Sequence, residues 1–210
     1  MKTNYQLQTD QCLAALGPTR PTLLLHSCCG PCSSYVLEYL TPHFDVTLLY
    51  YNPNIQPESE YEKRLDTQRE LLTHFPQVRL LECAYDGPAF EAAARGYESE
   101  PEGGARCTRC FLLRLEETAK RAAAGGFDFF CTTLSVSPHK DAERLNRLGQ
   151  TLAVRCGVRW LPSDFKKRDG YLRSTRLAKE YGLYRQTDCG CAYSRAAASA
   201  PPQGRGLPAD

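Results

Sequence analysis

Short apolar runs alternate with amphipathic segments along the chain. Thr22 to His26 reads as a strand ending in a Cys/Gly/Pro cluster, and Tyr35, Val36, Tyr39 and Leu40 then recur at helical spacing within Ser33 to Leu40. Phe44 to Tyr51 repeats the pattern. It is closed by Asn52-Pro53-Asn54-Ile55-Gln56-Pro57 and followed by a charged helix over Glu58 to Phe75 with Leu65, Leu71 and Leu72. Further strands are predicted at Val78 to Ala84, Phe127 to Thr133 and Val158 to Pro162. Further helices are predicted at Ala89 to Tyr97, Cys107 to Ala124 before Gly125-Gly126, Lys140 to Cys156, and Tyr171 to Tyr181 before Gly182. Five strand-then-helix units predict an α/β fold, a mostly parallel sheet with helices on both faces and ligands gathered at the carboxyl ends of the strands. One domain is expected over 20–195, with an N-terminal extension at 1–19. Residues 196–210, rich in Ala, Pro and Gly and with Leu207 as the one large apolar side chain, are expected to form a disordered tail.

Composition narrows the picture. With 210 residues and a 42% hydrophobic fraction the chain can fill one core, and 24% charged residues with a net charge of +2 indicate neither wholesale disorder nor a polybasic tail. Any contact with RNA must therefore be local. No apolar run approaches the roughly 20 residues that span a bilayer, and Met1 to Leu16 lacks the apolar block of a secretory signal, so a soluble, cytoplasmic protein is expected. The 11 cysteines redirect the reading, because a reducing compartment disfavours a disulfide framework and favours metal binding or redox chemistry.

Cys12, Cys83, Cys131 and Cys156 stand alone in apolar or helical contexts and read as small buried hydrophobes. The other seven fall into three clusters: Cys28, Cys29 and Cys32; Cys107 and Cys110; Cys189 and Cys191. The gap in Cys107-Thr108-Arg109-Cys110 lets two thiolates on a loop and first helical turn face one metal centre, and Gly190 permits the backbone that folds Cys189 and Cys191 together. Adjacent Cys28 and Cys29, if extended, face opposite directions and could serve two sites. Three readings compete. Structural zinc needs only four of the seven thiolates, as in a zinc-stabilised RNA-binding module. Cys29-Gly30-Pro31-Cys32 matches the dithiol of thioredoxin-like oxidoreductases over four residues, without the Trp that usually precedes it. A 4Fe-4S cluster with a nearby iron uses all seven.

Longer motifs accompany the cysteines. They are Tyr51-Asn52-Pro53-Asn54-Ile55-Gln56-Pro57 followed by Glu60-Tyr61-Glu62-Lys63-Arg64, Thr132-Thr133-Leu134 with Ser137-Pro138-His139-Lys140, and Tyr184-Arg185-Gln186 before Cys189-Gly190-Cys191. Together with the Cys28-Cys29-Gly30-Pro31-Cys32 segment and the Cys107/Cys110 pair they resemble the cobalamin-independent epoxyqueuosine reductase family over nearly the whole chain. The resemblance implies two-electron removal of the epoxide oxygen from epoxyqueuosine at the wobble position of tRNA, with a 4Fe-4S cluster, an adjacent mononuclear iron and an external electron donor. It also implies a Rossmann-like fold similar to the adenine-nucleotide hydrolases, with a cysteine loop in place of the glycine-rich phosphate loop. Some family members carry Asp at the position of Cys32.

On this reading Cys29, Cys107, Cys110 and Cys189 hold the cluster, with Cys191 the alternate to Cys189, and Cys28, Cys32 and Cys191 hold the iron, the Lewis acid at the epoxide oxygen. Tyr51, His139 and Asp188 are the candidate proton donors. Asn52, Asn54 and Gln56 either read the substrate or simply build a turn around Pro53 and Pro57. From Asp164 to Arg195 eight basic residues, Lys166, Lys167, Arg168 and Arg185 among them, face four acids and interleave with tyrosines, a pattern suited to phosphate contact and base stacking or to a solvated helix face. Lys140, Arg144 and Arg147 form a second basic face with the same ambiguity, and Glu58 to Arg69 reads as an exposed charged face.

Overall fold

The computed structural model describes residues 3–199. Five strands, β1 (Thr22–His26), β2 (Asp45–Tyr50), β3 (Arg79–Glu82), β4 (Phe129–Thr132) and β5 (Arg159–Trp160), form one sheet in the order β3-β2-β1-β4-β5, with every neighbouring pair parallel. Leu23, Leu24 and Leu25 of the central strand point alternately to both faces, and all are fully buried. Burying each contributes roughly 1.5–3 kcal/mol, which requires helices on both sides. On one face α2 (Gly30–Leu40) packs against α3 (Glu58–Leu72) and α7 (Gly170–Glu180); on the other α5 (Ala105–Ala124) packs against α4 (Gly87–Ala94) and α6 (Ala142–Cys156).

The strand order reverses between β1 and β4, so the crevice beyond their carboxyl ends is the switch point where open α/β sheets take ligands. The cysteine loop follows β1 there. Helix α2 begins at Gly30 rather than Ser33, because Pro31 fits a first helical turn and Cys32 is thereby helical. Gly30 is required by close approach, since a Cβ there would lie 2.9 Å from Thr67 Cγ2 on α3.

One element has no apolar signature. Within 1–19, α1 (Tyr5–Ala15) docks by a polar face: Gln6 and Thr9 are buried, the Thr9 hydroxyl donates to the Pro162 carbonyl at 2.7 Å, and Gln6 Nε2 donates to the Tyr39 hydroxyl at 3.1 Å. The tail expected from Ala196 is helical at its start, since α8 runs Ala192–Ser199; residues 200–210 lie outside the described residues. Among the described residues no helix is long and apolar enough to cross a membrane.

Candidate active site

Seven thiols from three distant segments meet in one cavity of about 700 Å³ at the switch point: Cys28, Cys29 and Cys32, Cys107 and Cys110, and Cys189 and Cys191. The four solitary cysteines stay outside it, in or against the main core. Cys28, Cys29 and Cys32 have their sulfur atoms within 4.8 Å of one another. Cys28 Sγ and Cys29 Sγ are 3.9 Å apart, which corrects the expectation that these neighbours face opposite ways. The extended Cys29 ends where α2 begins, and this bend turns both thiols to one side.

Cys107 and Cys110 lie in the first turns of α5, where the helix amides favour anionic sulfur, and the Gly103 amide donates to Cys107 Sγ at 3.2 Å. Cys189 Sγ and Cys191 Sγ are 3.6 Å apart across Gly190, whose φ of +92° is the left-handed conformation that its lack of a Cβ allows. Three contacts fix this turn: Asp188 Oδ1 accepts from the Gly190 amide at 2.6 Å, Asn54 Nδ2 donates to the Cys189 carbonyl at 3.2 Å, and the Gln56 amide donates to the Gly190 carbonyl at 3.0 Å.

The thiols divide into easily and hardly ionised members. Hydrogen bonds from Cys29 and Cys32 hold Cys28 well below the usual thiol range against the cost of burial, with Arg114 and Thr133 adding to the effect. Its hydrogen bond to Cys28 pushes Cys29 up to about 12, and Cys32 is raised in the same way. The hydrogen bond from Cys191 brings Cys189 down to about 5, against burial and with help from Lys140, while Cys191 rises in return. Burial raises Cys110, with Arg114 opposing. A thioredoxin-like dithiol would need Cys29, its first thiol, to be the easily ionised one. Here that thiol is Cys28.

Cations dominate the rest of the lining. Arg64, Arg106, Arg114, Lys140 and Arg185 face the cavity against two carboxylates, Glu102 and Asp188. Arg64 is buried and pairs with Glu60 at 2.7 Å and Asp188 at 3.6 Å, so the Glu58–Arg69 face is not wholly exposed as expected. Burial opposes the charge of Lys140, but Cys189, Glu102 and Cys107 outweigh it. Sequence reasoning missed Arg106 and Arg114, both buried. The signal for Arg114 was present, since Cys107, Cys110 and Arg114 follow the three- and four-residue spacing of one helix face.

Of the residues singled out for proton transfer and substrate contact, His139, Asp188, Asn54, Lys140 and Arg185 line the cavity. Tyr51, Asn52 and Gln56 are not brought to it. The Tyr51 hydroxyl turns to Asp86 at 3.5 Å, Asn52 is buried between the Ser27 carbonyl and Arg114, and Gln56 Nε2 donates to Glu91 at 3.1 Å. Lys166, Lys167 and Arg168 line a separate groove of about 810 Å³ that shares Lys140 with the first. Part of their charge is met locally, Lys166 by Asp164 at 2.7 Å and Arg168 by Asp10. Arg144 is tied to the Gly103 carbonyl at 2.5 Å and braces the start of α5.

Fold and site together define a parallel α/β protein with a seven-thiol centre at its switch point. A family profile described as epoxyqueuosine reductase QueH matches residues 23–197. The chain belongs to that family. It is 43% identical over 205 residues to the epoxyqueuosine reductase QueH of Streptococcus pyogenes serotype M1, covering 92% of this chain and 80% of that one. It is 38% identical over 178 residues to the epoxyqueuosine reductase QueH of Thermotoga maritima, covering 82% and 90%. In fold it is similar to the U34-tRNA thiolase NcsA from Methanococcus maripaludis, solved with its 4Fe-4S cluster, with a TM-score of 0.51 and 14% identity over 90% of this chain and 67% of that one.

Proposed function

We propose that the protein reduces epoxyqueuosine in cytoplasmic tRNA to queuosine, with a 4Fe-4S cluster and an adjacent iron held in the thiol cavity. The observation that carries this reading is the convergence of seven thiols, two of them easily ionised, among buried cations. That donor set fits thiophilic iron, which binds the deprotonated form. Cys107 and Cys189 lie close enough to Cys110 to act on it electrostatically, and these three supply cluster ligands, with Cys29 the fourth. Cys28, Cys32 and Cys191 are left for the iron, and Cys191, which packs beside Cys110 and Cys189, is also the alternate to Cys189.

When bound, these groups supply single electrons and a Lewis acid for a strained ring. Loss of the epoxide oxygen as water consumes two electrons, from an external donor, and two protons. His139 and Asp188 line the cavity and carry those protons; Asp188 also holds the Cys189–Cys191 turn through the Gly190 amide. Lys140 keeps a positive charge beside Cys189. At the mouth Arg185 donates to the Tyr171 hydroxyl at 2.9 Å, presenting a cation and a half-exposed ring to phosphate and base, as single-stranded RNA recognition requires.

The test is iron and acid-labile sulfide content of protein purified without oxygen, followed by turnover of tRNA carrying epoxyqueuosine with a low-potential reductant. About five irons and four sulfides per chain, with queuosine in the nuclease digest, are expected. Zinc without sulfide, or a loaded protein that leaves the nucleoside unchanged, overturns the proposal.

A further inference from the structure

Arg114 presents an electrostatic problem that the proposed reaction does not by itself explain. Its side chain is buried, 4% exposed, and among the described residues no carboxylate forms an ion pair with it. A guanidinium remains protonated in a protein, and an uncompensated buried charge is costly. Two of its hydrogen bonds go to neutral groups. Nη2 donates to Asn52 Oδ1 at 2.5 Å, and Nε donates to His26 Nε2 at 3.3 Å. That bond needs Nε2 unprotonated and the His26 proton on Nδ1, which faces Thr132 Oγ1 at 2.8 Å; the same Nε2 also lies 3.2 Å from the Tyr51 carbonyl, which can only accept. The remaining contact is Nη1 to Cys110 Sγ at 3.9 Å, one helical turn earlier on the same face of α5.

The other buried cations of the cavity are engaged differently. Arg64 has Glu60 and Asp188, and Lys140 has Glu102. Arg106 spends Nη1 on the carbonyls of Tyr97, Glu98 and Glu100 and lies over the Tyr193 ring, so it braces the loop before α5. Arg114 is left with sulfur as its one source of negative charge.

We infer that Arg114 is the fixed counter-cation of the thiolate centre, held in place by the positioning residues His26 and Asn52, and that its charge sets how readily that centre accepts an electron. This rests on the iron–sulfur reading above. An added electron makes the centre more negative, and a cation in a water-poor site favours that state more strongly than it would in solution.

The test is an optical redox titration of the full, anaerobically loaded chain and two variants that alter the charge in different ways. Arg114→Gln removes the charge. Asn52→Asp keeps the guanidinium and sets a carboxylate against it. Each is expected to shift the reduction equilibrium at least about tenfold toward the oxidised form, about 59 mV for a one-electron couple. Arg114→Lys, which retains the charge, is expected to stay within about threefold of wild type, or about 28 mV on the same scale. Iron and sulfide content and thermal unfolding report whether each variant is loaded and folded. If Arg114→Gln does not fold or hold iron, Asn52→Asp alone decides. An unchanged potential in whichever of the two loads, or an Arg114→Lys shift as large as that of Gln, overturns the counter-cation role. A wild type without iron and sulfide overturns the underlying reading and this inference with it.

Discussion

One hydroxyl ties Thr133 to Cys28 twice. Thr133 Oγ1 accepts from the Cys28 amide at 3.1 Å and donates to Cys28 Sγ at 3.3 Å, joining the carboxyl ends of β1 and β4 across the switch point. Thr133→Val keeps the shape and loses both bonds. It is expected to cost about 1–3 kcal/mol and to raise the Cys28 pKa. It should also weaken metal retention about 10–100-fold, the usual effect of removing a ligand's hydrogen-bond partner. Urea unfolding and competition with a chelator measure the two effects.

Gly190→Ala should separate thiol geometry from thiol number. A Cβ at Gly190 would stand 2.8 Å from Arg64 Nη1 on a backbone already at φ +92°. The expected cost is about 1–3 kcal/mol, with displacement of Cys189 and Cys191 and lower iron content although every cysteine remains. Metal analysis and thermal unfolding check this, and full iron content would show that the turn tolerates the methyl.

Arg185→Gln is expected to weaken binding of anticodon stem-loop RNA regardless of its sequence. The slope of log affinity against log salt should fall by about one, as for loss of a single phosphate contact. Fluorescence anisotropy over a range of salt concentrations is the measurement. An unchanged slope would place the phosphates elsewhere.

Cys131 provides a pH-dependent control away from the cavity. It is fully buried, and burial pushes its thiol up to about 12 from an ordinary 9. The folded state therefore favours the protonated thiol. Its contribution to stability is complete below about pH 9 and is lost as pH rises towards 12, by about 1.4 kcal/mol per unit. Cys131→Ala should show a shallower alkaline decline in denaturant unfolding, and an identical decline would refute the assignment.

The strand-then-helix alternation was legible because β1, β2 and β4 are continuous apolar runs and the helices between them have clear stops. The edge strands proved shorter than their apolar runs. Helix α1 was not legible, since its docking side is Gln6 and Thr9 and periodicity detects only apolar stripes. The meeting of the seven clustered cysteines could be read from spacing together with family resemblance. Their directions could not. Whether Cys28 faces Cys29 depends on the bend into α2, and whether Asn52 meets substrate or Arg114 depends on a contact 62 residues away in sequence. Arg106 carries no periodic signal among the charges of an amphipathic helix, whereas Arg114 shares the spacing of Cys107 and Cys110 and was legible on that face.

The Cys189–Cys191 turn also bears on how the chain is fastened together. Between the end of α7 and the start of α8 the backbone has no helix or strand, and its cysteine turn is tied to the body by side-chain and amide contacts from Asn54 and Gln56. A metal shared with Cys107 and Cys110 would add a clasp across some eighty residues, stabilising the closed arrangement as a cross-link does. Protease resistance of the 184–195 segment should therefore report metal loading, with the metal-free protein nicked there first and the loaded protein cut only when the whole domain opens.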